Sequence, residues 1–326
     1  MTFHAMTCTA LTGPRSLRLQ TYPSPPVESG KVRIAVRACG VNYPDLLMTY
    51  GRYQLRLEPP FVPGMEVAGE VLETGPGVED VKAGDHVIAS TRANGYAEQV
   101  VIDRNLVFHL PPGFTHAEGA TFSVASRTAY HALVDRGNLQ AGETLLVLGA
   151  TGGVGLTAVE LGKLRGARVI AVGSSDEKLA VARQQGADAV VNYLHQDFRQ
   201  AVRDLTGDAG VDVVYDPVGG QLSTESARLL AWGGRLLIIG FASGAFPELR
   251  ANHALIKGYS VIGVRAGESG RRNPEQARRG MEALRQLAAQ GHLKPHLCAQ
   301  YSLGNAAEAL EALENRRVTG RIALLP

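Results

Sequence analysis

Cysteine is scarce in this chain of 326 residues, which contains only Cys8, Cys39 and Cys298. Because the three thiols are widely spaced and odd in number, the sequence excludes a disulfide framework and a C-x-x-C metal site. We expect each cysteine to be a small buried residue.

Long apolar runs and an excess of one charge are also lacking. The apolar runs are strand-sized and flanked by charges, and the first five residues lack the apolar core of a signal peptide. The chain has 33 Lys and Arg against 31 Asp and Glu, with no basic stripe, so nucleic acid is not expected as a main partner. We expect a soluble, cytoplasmic protein of about two domains that does not enter a membrane.

Residues 1–125 predict a compact, mainly antiparallel β domain. Residues 32–38 alternate with period two, and strand-like runs follow at 66–73 and 81–88, broken by Gly and Pro. A loop is expected between the first two strands, over 40–53, and it contains three of the ten tyrosines.

A glycine-dense turn, GATGGVG at 149–155, follows the apolar run at 145–148 and leads into a helical pattern. This order predicts strand, tight turn and helix, with the backbone N–H groups of the first helical turn placed to bind a pyrophosphate. The motif alone is weak, because Ala150 occupies the first glycine position and glycine-rich turns also serve only to change chain direction.

Strands and helices alternate through the rest of residues 126–264. Six strands with intervening helices predict a doubly wound α/β sheet that binds ligand at the carboxyl ends of its strands. Polar or glycine-rich turns follow three of these strands, at 192–193, 216–220 and 240–244. Residues 265–326 are expected to pack back on the first domain, which would then be discontinuous.

The end of the second strand of this sheet indicates the preferred cofactor. An enzyme that prefers NAD usually ends this strand with an acid that binds the ribose 2′-hydroxyl. Here Ser174, Ser175 and Lys178 offer two hydroxyls and a cation, which suit the 2′-phosphate of NADPH. The alternative is a plain helix N-cap, and the nearby Asp176 and Glu177 argue against the phosphate role.

Three stretches together carry a family resemblance: residues 40–45 with 60–69, the glycine turn, and residues 174–178 followed by 191–193. They resemble the zeta-crystallin-like NADPH:quinone oxidoreductase branch of the medium-chain dehydrogenase/reductase superfamily, over residues 10–326. The resemblance implies a parallel Rossmann sheet, a GroES-like β domain and NADPH as the cofactor.

Zinc alcohol dehydrogenases of the same superfamily carry a Cys after Gly-Val and a His before the Glu of a Gly-His-Glu motif. Asn42 and Met65 occupy those positions here, and only Glu66 remains. A catalytic zinc needs about three protein ligands, so we expect no metal site. Without a Lewis acid, reduction of an acceptor that takes hydride directly is favoured over alcohol oxidation.

The resemblance also implies the site residues. Asn42 and Tyr53 would orient substrate and nicotinamide, Tyr53 by positioning rather than as an acid, with Asp45 and Tyr50 as further candidates; Asp45 could instead brace the loop. Tyr193 is either a cofactor ligand or an ordinary strand-end aromatic, and Arg317 makes the match of Arg316 ambiguous. The cofactor-binding set is Asn42, Thr128, Gly152, Gly153, Val154, Ser174, Ser175, Lys178, Tyr193, Phe241, Ala242 and Arg316.

Three functions are compatible with these features. The resemblance favours the first, reduction of a quinone by NADPH. The alternatives are reduction of an enone or alkenal double bond by NADPH and a nucleotide-binding regulatory or structural role. We also expect a homodimer or a dimer of dimers, because the apolar strand at 260–264 has no Lys or Pro to block its edge. Alternatively, residues 265–274 shield that edge in a monomer.

Overall fold

The computed structural model describes residues 2–326, which form two compact units. The first joins the residues up to Val124 with Lys294–Pro326, and the second is Ala125–Leu293. Residues 265–293 therefore belong to the second unit, not to the returning segment that the sequence predicts. The reason is packing: Met281 and Leu284 are buried, and Leu287 packs against the core of this unit.

The first unit is organised around one long strand, β3, with Val32, Ile34 and Val36 buried on one face. Its main sheet has the order β14-β15-β3-β4-β5-β7, with β6 also paired to β3, and all of these pairs except β14-β15 are antiparallel. The elements up to residue 124 are β1 Thr2–Cys8, β2 Leu17–Pro23, β3 Lys31–Val41, α1 Tyr43–Thr49, β4 Glu66–Thr74, β5 His86–Ser90, β6 Gln99–Asp103, β7 Val107–His109 and α2 His116–Ala120.

The segment at 40–53 is not the loop that the sequence predicts, because its centre is α1. Asn42 is the N-cap of this helix, the Asp45 carboxylate accepts a hydrogen bond from the Asn42 backbone N–H, and Pro44 stands in the first turn. Such an acid three residues after an Asn, with proline between them, is a helix-start signal.

The second unit contains a six-stranded parallel sheet in the order β10-β9-β8-β11-β12-β13, with helices between the strands. This order confirms the predicted doubly wound sheet. Its elements are α3 Ser123–Tyr130, which begins in the first unit, β8 Thr144–Val147, α4 Gly153–Leu164, β9 Arg168–Gly173, α5 Asp176–Gln184, β10 Ala189–Asn192, α6 Phe198–Thr206, β11 Val211–Asp216, α7 Gly220–Ala227, β12 Leu230–Ile238, α8 Ala251–Lys257, β13 Ser260–Gly263, α9 Ala266–Arg272 and α10 Pro274–Ala289.

The chain ends with β14 Leu297–Ser302, α11 Ala306–Glu314 and β15 Arg321–Leu325. Cys298 lies on β14, the outermost strand of the first sheet, and is exposed, so the prediction that every cysteine is buried is wrong for this one. Across residues 2–326, no helix is long and apolar enough to cross a membrane.

Candidate active site

The glycine turn lies between two neighbouring strands of the parallel sheet. Leu148 N–H donates to the Tyr215 carbonyl and Ala150 N–H donates to the Val172 carbonyl, each at 3.0 Å. A Cβ at Gly155 would lie 2.2 Å from the Gly149 carbonyl oxygen. The turn and the first turn of α4 can therefore pack this closely only because residue 155 has no side chain.

The amino end of α4 fits a phosphate group. Its N-cap, Gly152, has no side chain to accept a hydrogen bond, whereas α5 and α6 are capped by Ser175 and Asp197. The N–H groups of a first helical turn, here from Gly153 and Val154, have no acceptor within the helix, and the helix dipole favours a negative charge there. This end of the helix thus offers the donors that a pyrophosphate requires.

The three residues assigned to the 2′-phosphate follow β9. Ser174 is exposed, Lys178 is half-buried, and Ser175 Oγ accepts a hydrogen bond from Lys178 N–H at 3.4 Å. Ser175 therefore serves as the helix cap that the sequence left open as an alternative. Its hydroxyl hydrogen can still be donated to another acceptor.

The acid beside this site is engaged by the next strand. The Asp176 carboxylate accepts a hydrogen bond from Asn192 Nδ2 at 2.8 Å and lies 3.2 Å from His195 Nδ1. The Asn192 amide, with help from His195, lowers the pKa of Asp176. Asp176 is thus held by the end of β10, although it stands near the place where an NAD enzyme carries its ribose-binding acid.

The remaining cofactor candidates of this unit lie on its helices and turns. Tyr193 N–H donates to the Gly173 carbonyl at 3.1 Å, and its half-buried ring packs against the core. Phe241 is exposed and meets the ring of Phe246 edge-on at 4.8 Å. Thr128 is half-buried on α3.

Asp216 shapes the turn after β11 and was not singled out from the sequence. It is fully buried, and its Oδ1 accepts hydrogen bonds from the Val218 and Gly219 N–H groups at 2.9 Å. The Pro217 carbonyl in turn accepts a hydrogen bond from Ala242 N–H. The turns after β11 and β12 are therefore joined at the carboxyl edge of the sheet.

In the first unit, Asn42 is paired with a buried acid. Asn42 Nδ2 donates to Glu66 Oε1 at 2.9 Å, and Glu66 Oε2 accepts from Val124 N–H at 2.8 Å. Burial raises the pKa of Glu66, and the charge of Arg321 opposes this rise. In the sequence Glu66 stands out only as the remnant of a zinc motif, because a contact across 24 residues leaves no local pattern.

Asp45 is fully buried and accepts hydrogen bonds from the backbone N–H groups of Asn42, at 2.9 Å, and Gly64, at 3.1 Å. These contacts give it the bracing role that the sequence left open. Burial raises the pKa of Asp45 to about 7, against the opposing effect of the two N–H groups.

Asp45 should make the stability of the first unit depend on pH. A carboxyl with a pKa raised above its unfolded value stabilises the fold below the unfolded pKa, and this contribution is lost as pH rises through about 7. At 1.36 kcal/mol per pKa unit, the loss between pH 4 and 8 is up to about 4 kcal/mol. Denaturant unfolding of the unaltered chain and of Asp45→Asn should show a stability difference that shrinks as pH rises; a difference independent of pH would contradict this.

The remaining site candidates of the first unit, Tyr50, Tyr53 and Arg316, have different surroundings. Tyr50 Oη donates to Glu314 Oε1 at 2.8 Å, which anchors the end of α1 on α11. Tyr53 is half-buried in the segment after α1, and Arg316 is exposed after α11 with a φ of 55°. The hydroxyl of Tyr50 is therefore engaged within the fold.

Metal-ligating side chains do not gather in the part of the chain that the structure describes. No three His, Cys, Asp or Glu residues within residues 2–326 are grouped so that they could hold an ion.

Two family models match the chain: the alcohol dehydrogenase GroES-like domain over residues 28–122 and the zinc-binding dehydrogenase over residues 153–284. Quinone oxidoreductase-like protein 2 of Bos taurus is 36% identical over 323 residues, which cover 99% of this chain and 92% of the bovine protein.

Solved structures agree with these matches. A probable oxidoreductase from Mycobacterium abscessus is 36% identical with a TM-score of 0.90, covering 100% of this chain and 99% of that one. Escherichia coli quinone oxidoreductase, solved in complex with NADPH, is 27% identical with a TM-score of 0.90 and full coverage of both chains. The chain therefore belongs to the quinone oxidoreductases of the medium-chain dehydrogenase/reductase superfamily.

Proposed function

We propose that this protein is an NADPH-dependent reductase that transfers a hydride to a quinone without a metal. One observation carries this proposal. The uncapped amino end of α4 follows β8, and a cluster of two serines and a lysine follows the adjacent strand β9, so both lie at the carboxyl ends of neighbouring strands. The E. coli relative, solved with NADPH, supports the cofactor, and the family supports the acceptor.

In this proposal each part of the chain has a defined task. The backbone N–H groups at the start of α4 bind the pyrophosphate, and Ser174, Ser175 and Lys178 bind the 2′-phosphate. NADPH supplies the hydride when bound. Asn42 offers a hydrogen-bond acceptor to the reacting molecules, and Tyr53 positions them.

Metal independence rests on residue identity. Asn42 and Met65 replace the Cys and His of the zinc enzymes, and an amide and a thioether are poor substitutes as zinc ligands. A quinone accepts a hydride directly, so the reaction does not require a Lewis acid. We further propose a cytoplasmic location, which the free thiols of Cys8, Cys39 and Cys298 support, since thiols stay reduced there.

An acceptor panel tests this function. NADPH consumption should be faster with benzoquinones and naphthoquinones than with enones and alkenals, in protein freed of metal by chelation. Faster turnover of alkenals would favour the double-bond reductase instead. No turnover with any acceptor, together with tight NADPH binding, would favour a regulatory or structural role.

We further propose that the chain forms a homodimer, or a dimer of dimers, through the edge of the parallel sheet. β13 is the last strand in the sheet order, and Val261 on it is 46% exposed. The nearby Trp232, against Gly258, is 80% exposed. An apolar edge of this kind is normally paired or covered.

Replacing Val261 and Ile262 with lysine should convert the dimer to a monomer, because two charges would face each other across the two-fold axis. Light scattering checks this: the unaltered chain should have twice the mass of 34.6 kDa, or four times that mass as a dimer of dimers, and the double variant half the mass of the unaltered chain. A mass of 34.6 kDa for the unaltered chain at all micromolar concentrations would rule the dimer out.

A further inference from the structure

Glu66 is a buried carboxylate that zinc chemistry would explain in relatives but that needs another explanation here. Only 1% of its surface is exposed. Its oxygens accept hydrogen bonds from Asn42 Nδ2 and from Val124 N–H. Burial raises the pKa of Glu66, and the charge of Arg321, these two donors and the Ser123 N–H oppose that rise. Burying an acid is costly, so a site that surrounds it with donors indicates a role for the charge.

The backbone packs closely around the Glu66 side chain. A Cβ at Gly40 would lie 2.7 Å from both Cγ and Oε1 of Glu66 and 2.3 Å from the Ala120 carbonyl oxygen. At Gly40, β3 therefore approaches both the Glu66 side chain and the end of α2 as closely as glycine permits, and this packing holds the carboxylate against Asn42.

An amide has two ends of similar shape and opposite hydrogen-bonding character, and its neighbours decide which end faces which way. An ionised carboxylate accepts and cannot donate, so it selects the NH₂ end of Asn42. The Asn42 carbonyl oxygen, Oδ1, is then directed away from Glu66. It lies on the side of the Asp45 N–H in the capping box of α1 and has a second lone pair for another donor.

We propose that Glu66 is a positioning residue that fixes the Asn42 amide so that Oδ1, and not the NH₂ group, is presented to a donor group on the bound substrate or nicotinamide. This inference rests on the proposed function, in which Asn42 contacts those molecules. Glu66, which remains from the zinc motif of related enzymes, would thus have a role in a reaction without metal.

Glu66→Gln tests the orientation because it changes hydrogen bonding and not shape. Val124 N–H still requires an acceptor, so the carbonyl of the new side-chain amide faces Val124 and its NH₂ group faces residue 42. Asn42 must then turn over to accept, and the ligand meets an NH₂ group. We expect kcat/KM for the quinone to fall about 10- to 100-fold, the effect of losing one hydrogen bond and leaving its partner unsatisfied.

A second exchange should restore activity. In the variant carrying both Asn42→Asp and Glu66→Gln, the NH₂ group of the new amide at position 66 donates to one oxygen of residue 42, and the other oxygen is again an acceptor. The net charge equals that of the unaltered chain. We expect kcat/KM at least about 10-fold above that of Glu66→Gln, whereas Asn42→Asp alone should be poor because two carboxylates would stand 2.9 Å apart.

Two measurements separate positioning from a merely structural role. The melting temperature of Glu66→Gln should change little, while kcat/KM falls. A double variant no more active than Glu66→Gln, or a Glu66→Gln variant as active as the unaltered chain, would overturn the proposal.

The unaltered chain is assayed first, because its failure to turn over quinones or enones would contradict the proposed function itself. In that case the side-chain amide NMR signal of Asn42, identified by its loss in Asn42→Asp, tests Glu66 without activity. Displacement of this signal in Glu66→Gln supports the selected orientation; an unmoved signal contradicts it.

Discussion

Replacing Gly155 with alanine is expected to abolish NADPH binding and to destabilise the second unit. The new methyl group would lie 2.2 Å from the Gly149 carbonyl oxygen and 2.8 Å from Ala150 Cα, both backbone atoms that cannot turn aside as a side chain can. Overpacking of a tight contact costs about 1–3 kcal/mol, and we expect the upper end because the α4 amino end must move off the turn. A loss of about 3 kcal/mol lowers the melting temperature by roughly 6–12 °C in a unit of this size.

A matched control is Gly267→Ala on α9 in the same unit, where a new Cβ would meet nothing within 4 Å. This variant should keep the melting temperature and the NADPH affinity of the unaltered chain. Calorimetry and fluorescence titration with NADPH check both variants. Normal NADPH affinity in Gly155→Ala would mean that the glycine turn does not hold the pyrophosphate.

The second large effect is expected from Lys178→Ala. A charge-assisted contact with the 2′-phosphate contributes about 1.5–3 kcal/mol, so the variant should bind NADPH roughly 10- to 150-fold more weakly while NADH affinity stays almost constant. Unfolding of α5 would not explain a loss of NADPH affinity that spares NADH. Lys178 stands near the amino end of α5, where the helix dipole disfavours a positive charge, so its removal should leave the helix intact or slightly stabilised.

Arg183→Ala is the control for net charge, since Arg183 is an exposed cation in the last turn of the same helix. It should leave the ratio of NADPH to NADH affinity unchanged. If Lys178→Ala lost equal affinity for NADPH and NADH, this lysine would not reach the 2′-phosphate. A preference of the unaltered chain for NADH would contradict the assignment of Ser174, Ser175 and Lys178 together.

Local sequence patterns predicted the parallel sheet well because each of its strands is an apolar run ended by a glycine or polar turn. The glycine turn at 149–155 was recognisable because the backbone approach there excludes side chains, as the 2.2 Å contact at Gly155 demonstrates. Asn42, Pro44 and Asp45 form a helix start for α1, although the glycines and tyrosines of residues 40–53 are typical of a loop.

Contacts between distant parts of the chain could not be predicted in the same way. Nothing near Glu66 in the sequence indicates that it binds Asn42 and Val124 N–H. The sequence predicts that the second unit ends at 264 and not at Leu293, because the pattern of α10 indicates an apolar face but not the surface on which that face packs. Packing between residues far apart in the sequence determines both the contacts of Glu66 and the end of the second unit, and no local sequence pattern indicates it.

Hydride transfer itself provides the most direct test of the account. Protein shown by metal analysis to be free of zinc is loaded with one equivalent of NADPH, either unlabelled or deuterated at nicotinamide C4, and mixed with a benzoquinone in a stopped-flow instrument. We expect one quinone to be reduced per NADPH oxidised. NADPH that carries deuterium at the C4 position from which the hydride leaves should react more slowly than unlabelled NADPH. NADPH that is not oxidised by the metal-free protein but is oxidised once zinc is restored would contradict the account.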